Sequence, residues 1–308
     1  MKTILLFCVL LSQYAFAQNI NDSINKDEVR KILYYLSDDE MKGRVNFSPE
    51  QDTVATYLSN HFSDYGLKPF SGYDSFYHNF RVWGIKDGDS SAELKNVIGM
   101  LPGNKYPDEA VIFSAHYDHV KGKEIHNGAN DNASGTAAVL MLAKYFAMRK
   151  DNERTIVFCL FAGEELGLLG SKLFAKTILP ETIKAMINIE MIGVTNRTGK
   201  NAFFLTGDTY SNMKKILAKN LEGTEVKLKK EGADPRFLFM RSDNYPFAKL
   251  GVPAHTIMCS DDNDPCYHKP CDDVERIDTE NMTRIIQAIA IASHSLISGL
   301  DTPKRIRL

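Results

Sequence analysis

The chain has 308 residues, 44% of them hydrophobic and 25% charged, with a formal net charge of −2 at pH 7. That is the composition of an ordinary globular protein, long enough for one large domain or two small ones. A charge so near neutrality points to neither a nucleic acid nor an anionic membrane surface as a partner.

The first residues, MKTILLFCVLLSQYAFAQ, combine an early Lys2, an apolar run from Ile4 to Leu11, and Ala15-Phe16-Ala17. This is the layout of a secretory signal with a small-x-small cleavage site, so residues 1–17 are expected to be removed and the mature chain to begin near Gln18. The run is shorter than the roughly 20 apolar residues a bilayer span needs. Cys8 follows Phe7, where a lipidated cysteine would want a small neighbour, so no stable membrane anchor is expected. Removal of residues 1–17 takes away Lys2 and no acid, moving the formal charge from −2 to −3. Of the remaining cysteines, Cys159 lies in an apolar run and reads as a core residue. Cys259, Cys266 and Cys271 fall together in a polar region. Export permits a disulfide there, with Cys266 and Cys271 the favoured pair, and a Cys-rich zinc site the weaker alternative because no Cys-x-x-Cys is present.

Apolar spacing predicts helices over Lys26 to Leu36 and Gln51 to Tyr65, separated by a polar stretch. From Val97 onward the pattern becomes short apolar runs alternating with helical segments. Strands are expected at Asn96–Met100, Ala110–Ala115, Thr155–Phe161, Ala185–Ile192, Ala202–Thr206 and Ala254–Cys259. Helices are expected at Ser134–Arg149, Leu166–Thr177, Tyr210–Leu221, Ser242–Leu250 and Thr279–Ser298. Continuous apolar strands alternating with helices imply a mixed, mainly parallel sheet covered on both faces, a three-layer α/β/α sandwich. The absence of repeats and of a long linker makes residues 18–308 one domain. In such folds ligands bind beyond the carboxyl ends of the strands.

Five polar clusters are expected at that edge, each after a strand. In Ser114-Ala115-His116-Tyr117-Asp118-His119, residues 116 and 118 share a face of an extended chain, so the Asp118 carboxylate can orient His116 as a metal ligand. A solvated surface histidine is the plain alternative. Asn127 to Gly135 brings Asp131 in front of a helix, either as a ligand or within a helix cap. Glu164 and Glu165 in FAGEELGLLGS diverge if the backbone is extended, one free to bind a metal and the other to act as general base. Glu190 interrupts the apolar Asn188-Ile189-Glu190-Met191-Ile192, where a buried acid needs a partner. His268, in Tyr267-His268-Lys269-Pro270, follows the last strand.

The motifs SAHYDH, GANDNASGTAAVL, FAGEELGLLGS, NIEMIG and YHKPCDDVERID, in this order, resemble the secreted di-zinc aminopeptidases, the family of bacterial leucyl aminopeptidases and glutamate carboxypeptidase relatives. The match runs from about Leu33 to Ile297 and includes LSDDEMKGR and YLSNHFSDYGLKPF. The resemblance implies a zinc-exopeptidase fold and two Zn²⁺ ions bridged by Asp131. His116 and Glu190 would complete one ion, and Glu165 and His268 the other. Glu164 would be the general base and Asp118 the partner of His116. Two zinc ions against three ligand carboxylates and a hydroxide leave such a site neutral. The family usually carries Asp where this chain has Glu190, and often His where Asn244 stands, so Asn244 is given no role. The implied activity is hydrolysis of N-terminal residues from a peptide substrate. A single-zinc glutaminyl cyclase, a carboxypeptidase and a non-catalytic binding protein are the competing readings.

Overall fold

The structure, a computed structural model, describes residues 20–83, 91–232 and 235–308. The expected signal segment, residues 1–17, lies outside the described residues. The first helix, α1 (Lys26–Leu36), starts where the Asn25 side chain accepts the Glu28 amide at 3.0 Å, and it buries Val29, Ile32, Leu33 and Leu36 along one stripe. Ser48 caps α2 (Pro49–Asp64) in the same way, with Pro49 in the first turn, where its missing amide costs nothing. By contrast, α3 (Ser134–Arg149) is buried on nearly every side. A helix apolar all round must be sandwiched, and α3 lies between the sheet and the helices α1, α2 and α4 (Thr279–Ala292).

Among the described residues nine strands form one mixed sheet: β1 (Lys68–Pro69), β2 (Tyr77–Trp83), β3 (Ser91–Leu101), β4 (Tyr106–His116), β5 (Arg154–Phe161), β6 (Ile183–Ile189), β7 (Ala202–Leu205), β8 (Lys227–Lys229) and β9 (Ala254–Met258). The order is β1-β3-β5-β4-β6-β9-β7-β8, with β2 beside β3. The central neighbours β5-β4, β4-β6 and β6-β9 are parallel, whereas β3 runs antiparallel to β5 and β7 to β9. Alternate residues of the central strands serve two cores. Val111, Phe113, Ile156 and Phe158 pack toward α1–α4, while Ile112, Val157, Cys159 and Phe161 pack toward Phe174, Phe239 and Phe247 on the opposite face. That is the expected α/β/α sandwich.

Differences from the expected elements lie at edges and ends. Strands β1, β2 and β8 were not expected. They are short or half-exposed edge strands whose pairing supplies what their sequence pattern does not. The last helix stops at Ala292 and restarts at His294, because the Ser293 hydroxyl bonds back to the Ile289 carbonyl at 2.8 Å. Strand β6 ends at Ile189, so Glu190 stands at the strand exit rather than within a strand continuing to Ile192. The Glu190 amide still bonds the Ile257 carbonyl, but Met191 then takes a positive φ of 52° and turns the chain away.

One buried cation ties the N-terminal segment to the loop that carries the site. The Arg44 guanidinium donates to the carbonyls of Leu36 (2.5 Å), Tyr117 (2.8 Å), Asn127 (2.8 Å) and Gly128 (3.0 Å). Burial pulls its pKa down to about 10, which still leaves it charged at neutral pH. Arg44→Met should lower the stability by about 3 kcal/mol or more in urea unfolding, since buried acceptors lose a charged donor. A loss under about 1 kcal/mol would mean that the loop has other support.

Candidate metal centre

The loop between β4 and α3 delivers two of the expected clusters, so the five clusters belong to the carboxyl ends of four parallel strands rather than five. His116 ends β4, and Asp131 comes back to the same edge just before α3. Three contacts place Asp131. The Asp272 carboxylate accepts the amides of Asn130 (2.9 Å) and Asp131 (3.0 Å), and the Asn132 side chain donates to the Ile189 carbonyl at 3.0 Å. Gly135 permits this docking, because a Cβ there would lie 2.2 Å from the Ile189 carbonyl oxygen. The loop is thereby pinned to the end of β6, next to Glu190.

The two oxygens of Asp131 face different histidines. Oδ1 lies 3.3 Å from His116 Nε2, and Oδ2 lies 3.1 Å from His268 Nε2. Glu165 Oε1 is 3.2 Å from His268 Nε2 and 3.2 Å from His119 Nδ1. Two donor sets with geometry for a metal share Asp131: His116, Asp131 and Glu190 on one side, and His119, Asp131 and Glu165 on the other. His116 Nε2, His268 Nε2, Glu165 Oε1 and both nitrogens of His119 are buried without a hydrogen-bond partner. Buried polar atoms are rarely left so, and a set of imidazole nitrogens and carboxylate oxygens suits a divalent ion such as zinc. The residues present therefore fit the metal that the sequence implies. Among the expected residues, His116, Asp131, Glu164, Glu165, Glu190 and His268 all converge here.

The Asp118 carboxylate stands at ion-pair distance from His116 Nδ1, 3.8 Å, while its backbone carbonyl is closer, at 3.2 Å. The carboxylate also accepts the amides of Glu164 and Glu165, each at 3.2 Å, and the Asn46 side chain at 2.6 Å. The acidic pair accordingly sits in a turn, not in extended backbone, with the Glu164 carbonyl accepting the amides of Gly167 and Leu168. Because Asp118 holds both amides, β4 sets the height at which the carboxylates after β5 enter the site.

His268 lies in a tight loop closed by the Cys266–Cys271 disulfide, with a positive φ of 53° and its ring stacked on Tyr267 at 3.9 Å. Cys259, grouped with that loop by its position in the sequence, is instead free and buried at the end of β9. His119, Asp272 and Ser242, which bonds Glu190, were not singled out from the sequence. His119 closes the quoted SAHYDH, but its spacing from His116 gave no reason to put both rings on one centre.

The electrostatics are those of crowded acids. Burial pushes Glu190 and Asp243 up to about 7, and Glu164 well above the carboxylate range against the pull of His116. Burial and Asp131 also push Glu165 up, but His119 and His268 outweigh them and hold it below its ordinary value. Beside the carboxylates opens a pocket lined by Met191, Leu238, Met258 and Tyr267, with Arg241 and Asp262 at its rim.

A sequence profile of peptidase family M28 matches residues 96–292, and the chain belongs to that family. It is 30% identical over 224 residues to aminopeptidase YwaD of Bacillus subtilis, an alignment covering 69% of this chain and 47% of that protein. The chain thus spans about half the length of that curated relative. The LapA aminopeptidase of Legionella pneumophila shares the fold, with a TM-score of 0.72 at 19% identity, over 92% of this chain and 75% of that one. The glutaminyl cyclase of Porphyromonas gingivalis shares it equally, with a TM-score of 0.71 at 15% identity over 89% of this chain and 99% of that one.

The raised pKa values set a pH dependence for the chelator-treated protein. Glu190 and Asp243 hold their protons more tightly folded than unfolded, so their contribution to stability is complete below about pH 4 and is lost as pH rises through about 7. The Tm of the metal-free chain should fall by several degrees between pH 5 and pH 8. Added zinc should raise it more at pH 8 than at pH 5. Equal zinc shifts at both values would contradict the assignment.

Proposed function

We propose that this protein is an exported zinc aminopeptidase that binds two zinc ions and releases N-terminal residues from peptides. The observation that carries the reading is the shared Asp131, whose two oxygens face His116 at 3.3 Å and His268 at 3.1 Å, each beside a further acid. His116, Asp131 and Glu190 would hold one ion, and Asp131, Glu165 and His268 the other. Zinc bound there would polarise the scissile carbonyl and acidify a water.

Glu164 is the residue placed to move the proton. Its carboxylate is within 4.8 Å of the ligand atoms of His116 and Glu165, and it lines the pocket and is partly exposed, so a water can reach it. Taking the proton from the attacking water and returning it to the leaving amine requires a carboxylate whose affinity for protons is raised, which its surroundings provide. Asp118, through the two amides it accepts, is the positioning residue for the pair.

The charge of the pocket supports removal from the amino end. Asp131, Glu164 and Glu190 form its floor, complementary to a free α-ammonium. Among the described lining residues the basic side chain is Arg241, and it is already bonded to Asp262 at 2.6 Å, which disfavours receipt of a C-terminal carboxylate. Met191, Leu238 and Met258 favour an apolar first side chain.

A cyclase reading rests on the equal fold similarity and is separated by products. Free-amino peptides with an apolar first residue should be hydrolysed and N-blocked peptides should not, and the hydrolysis should stop with chelator. Conversion of N-terminal Gln without hydrolysis would favour the cyclase instead. Glu164→Gln should lower turnover by about 100-fold to 10,000-fold with zinc content unchanged, and unchanged turnover would remove Glu164 from the mechanism. Export is supported by the leader-like residues 1–17. The N-terminus of the secreted product, read by mass spectrometry, should be Gln18, and an intact Met1 would refute processing.

A further inference from the structure

We infer that His119 is an additional ligand at the Glu165 side of the centre, so that one metal position is closed by four protein residues while the other stays open to substrate. The inference rests on the metal reading above and sharpens it. Its ground is the placement of an otherwise unexplained ring. His119 is buried, and its two ring nitrogens have no hydrogen-bond partner. Nδ1 nevertheless stands 3.2 Å from Glu165 Oε1, and the ring meets that of His268 edge-on at 5.6 Å.

The spacing is that of ligands around one small ion. Donors about 2.0–2.1 Å from a tetrahedral zinc lie about 3.3 Å from each other. The observed separations on this side are 3.2 Å for His119 to Glu165, 3.2 Å for His268 to Glu165 and 3.1 Å for His268 to Asp131. These approaches are within ion-pair distance, yet the His119 and His268 nitrogens concerned have no hydrogen-bond partner. The ring is held there by shape: a Cβ on Gly128 would come within 2.5 Å of its Cγ. The chain accepts a left-handed residue, φ 55°, at that point so that the imidazole can lie over it.

The consequence is an asymmetric pair. His119, Glu165 and Asp131 make one donor set, and His268, at 3.1 Å from Asp131 and 3.2 Å from Glu165, would complete four donors, the coordination number at which structural zinc sites are closed. His116, Glu190 and Asp131 make a three-donor set, the number typical of catalytic zinc with a position left for water or substrate. Glu190 and Asp131 of the open set line the pocket together with Glu164, whereas His119 does not. The closed ion would thus be retained and would fix Asp131, and the open one would take part in exchange with substrate.

The test is zinc affinity by competition with a chromophoric chelator on the full-length protein, together with the absorption of its cobalt form. Wild type should bind one ion much more tightly than the other. His119→Ala should weaken the tight step at least about 100-fold, the upper range for disturbing even an outer contact of a ligand, and leave the second step in place. Unaltered affinity at both steps overturns the role of His119 while the metal reading stands. A wild type that binds no zinc overturns both. To separate ligation from a loss of folding, His119→Cys loaded with cobalt should gain a thiolate-to-cobalt charge-transfer band in the near ultraviolet that wild type lacks. A folded, cobalt-loaded His119→Cys without that band overturns the inference.

Discussion

The structure turns on one electrostatic constraint: carboxylates gathered around Asp131 at the carboxyl edge of the sheet, out of water and close to one another. An isolated buried carboxylate is costly, and several together are costlier still unless protons or cations accompany them. In the metal-free chain the raised proton affinity of Glu164, Glu190 and Asp243 is the local response. Divalent ions would answer the same need without consuming protons. Histidines 116, 119 and 268 have nitrogens with no hydrogen-bond partner and would supply the neutral donors such ions take.

Much of the remaining architecture serves to make that arrangement rigid. Arg44 binds four carbonyls across the N-terminal segment and the β4–α3 loop, and Asp272 clamps the two amides at Asp131. Asp118 does the same for the turn after β5. Each of these links spans long stretches of sequence and uses an ionic or amide-rich contact, so the side chains of the site are positioned by backbone held in place rather than left to find one another. Below them, the two cores on either face of β4, β5 and β6 provide the stiff base.

The legibility of the sequence followed the strength of its periodicity. Helix Ser134–Arg149 and the central strands were readable because long, apolar, buried segments have few alternatives. The edge strands β1, β2 and β8 were not, since edge pairing depends on a neighbour and leaves little mark on polarity. In the site, the motif-bearing acids and histidines could be identified by residue type and strand position. His119 could not, although it was in plain view within SAHYDH: its relevance comes from the ring's direction and from Gly128, nine positions later.

What the sequence alone determined was the sandwich, the edge that bears the chemistry and the set of ionisable groups that meet there, because hydrophobic periodicity and residue type are local properties. Tertiary structure decided how those groups are shared. It gave the Asp118 carboxylate two amides after β5 as well as His116, moved Glu190 to the strand exit beside β9 and brought His119 against Glu165. Those outcomes depend on distances between segments far apart in the chain, and distance is a property that only packing creates.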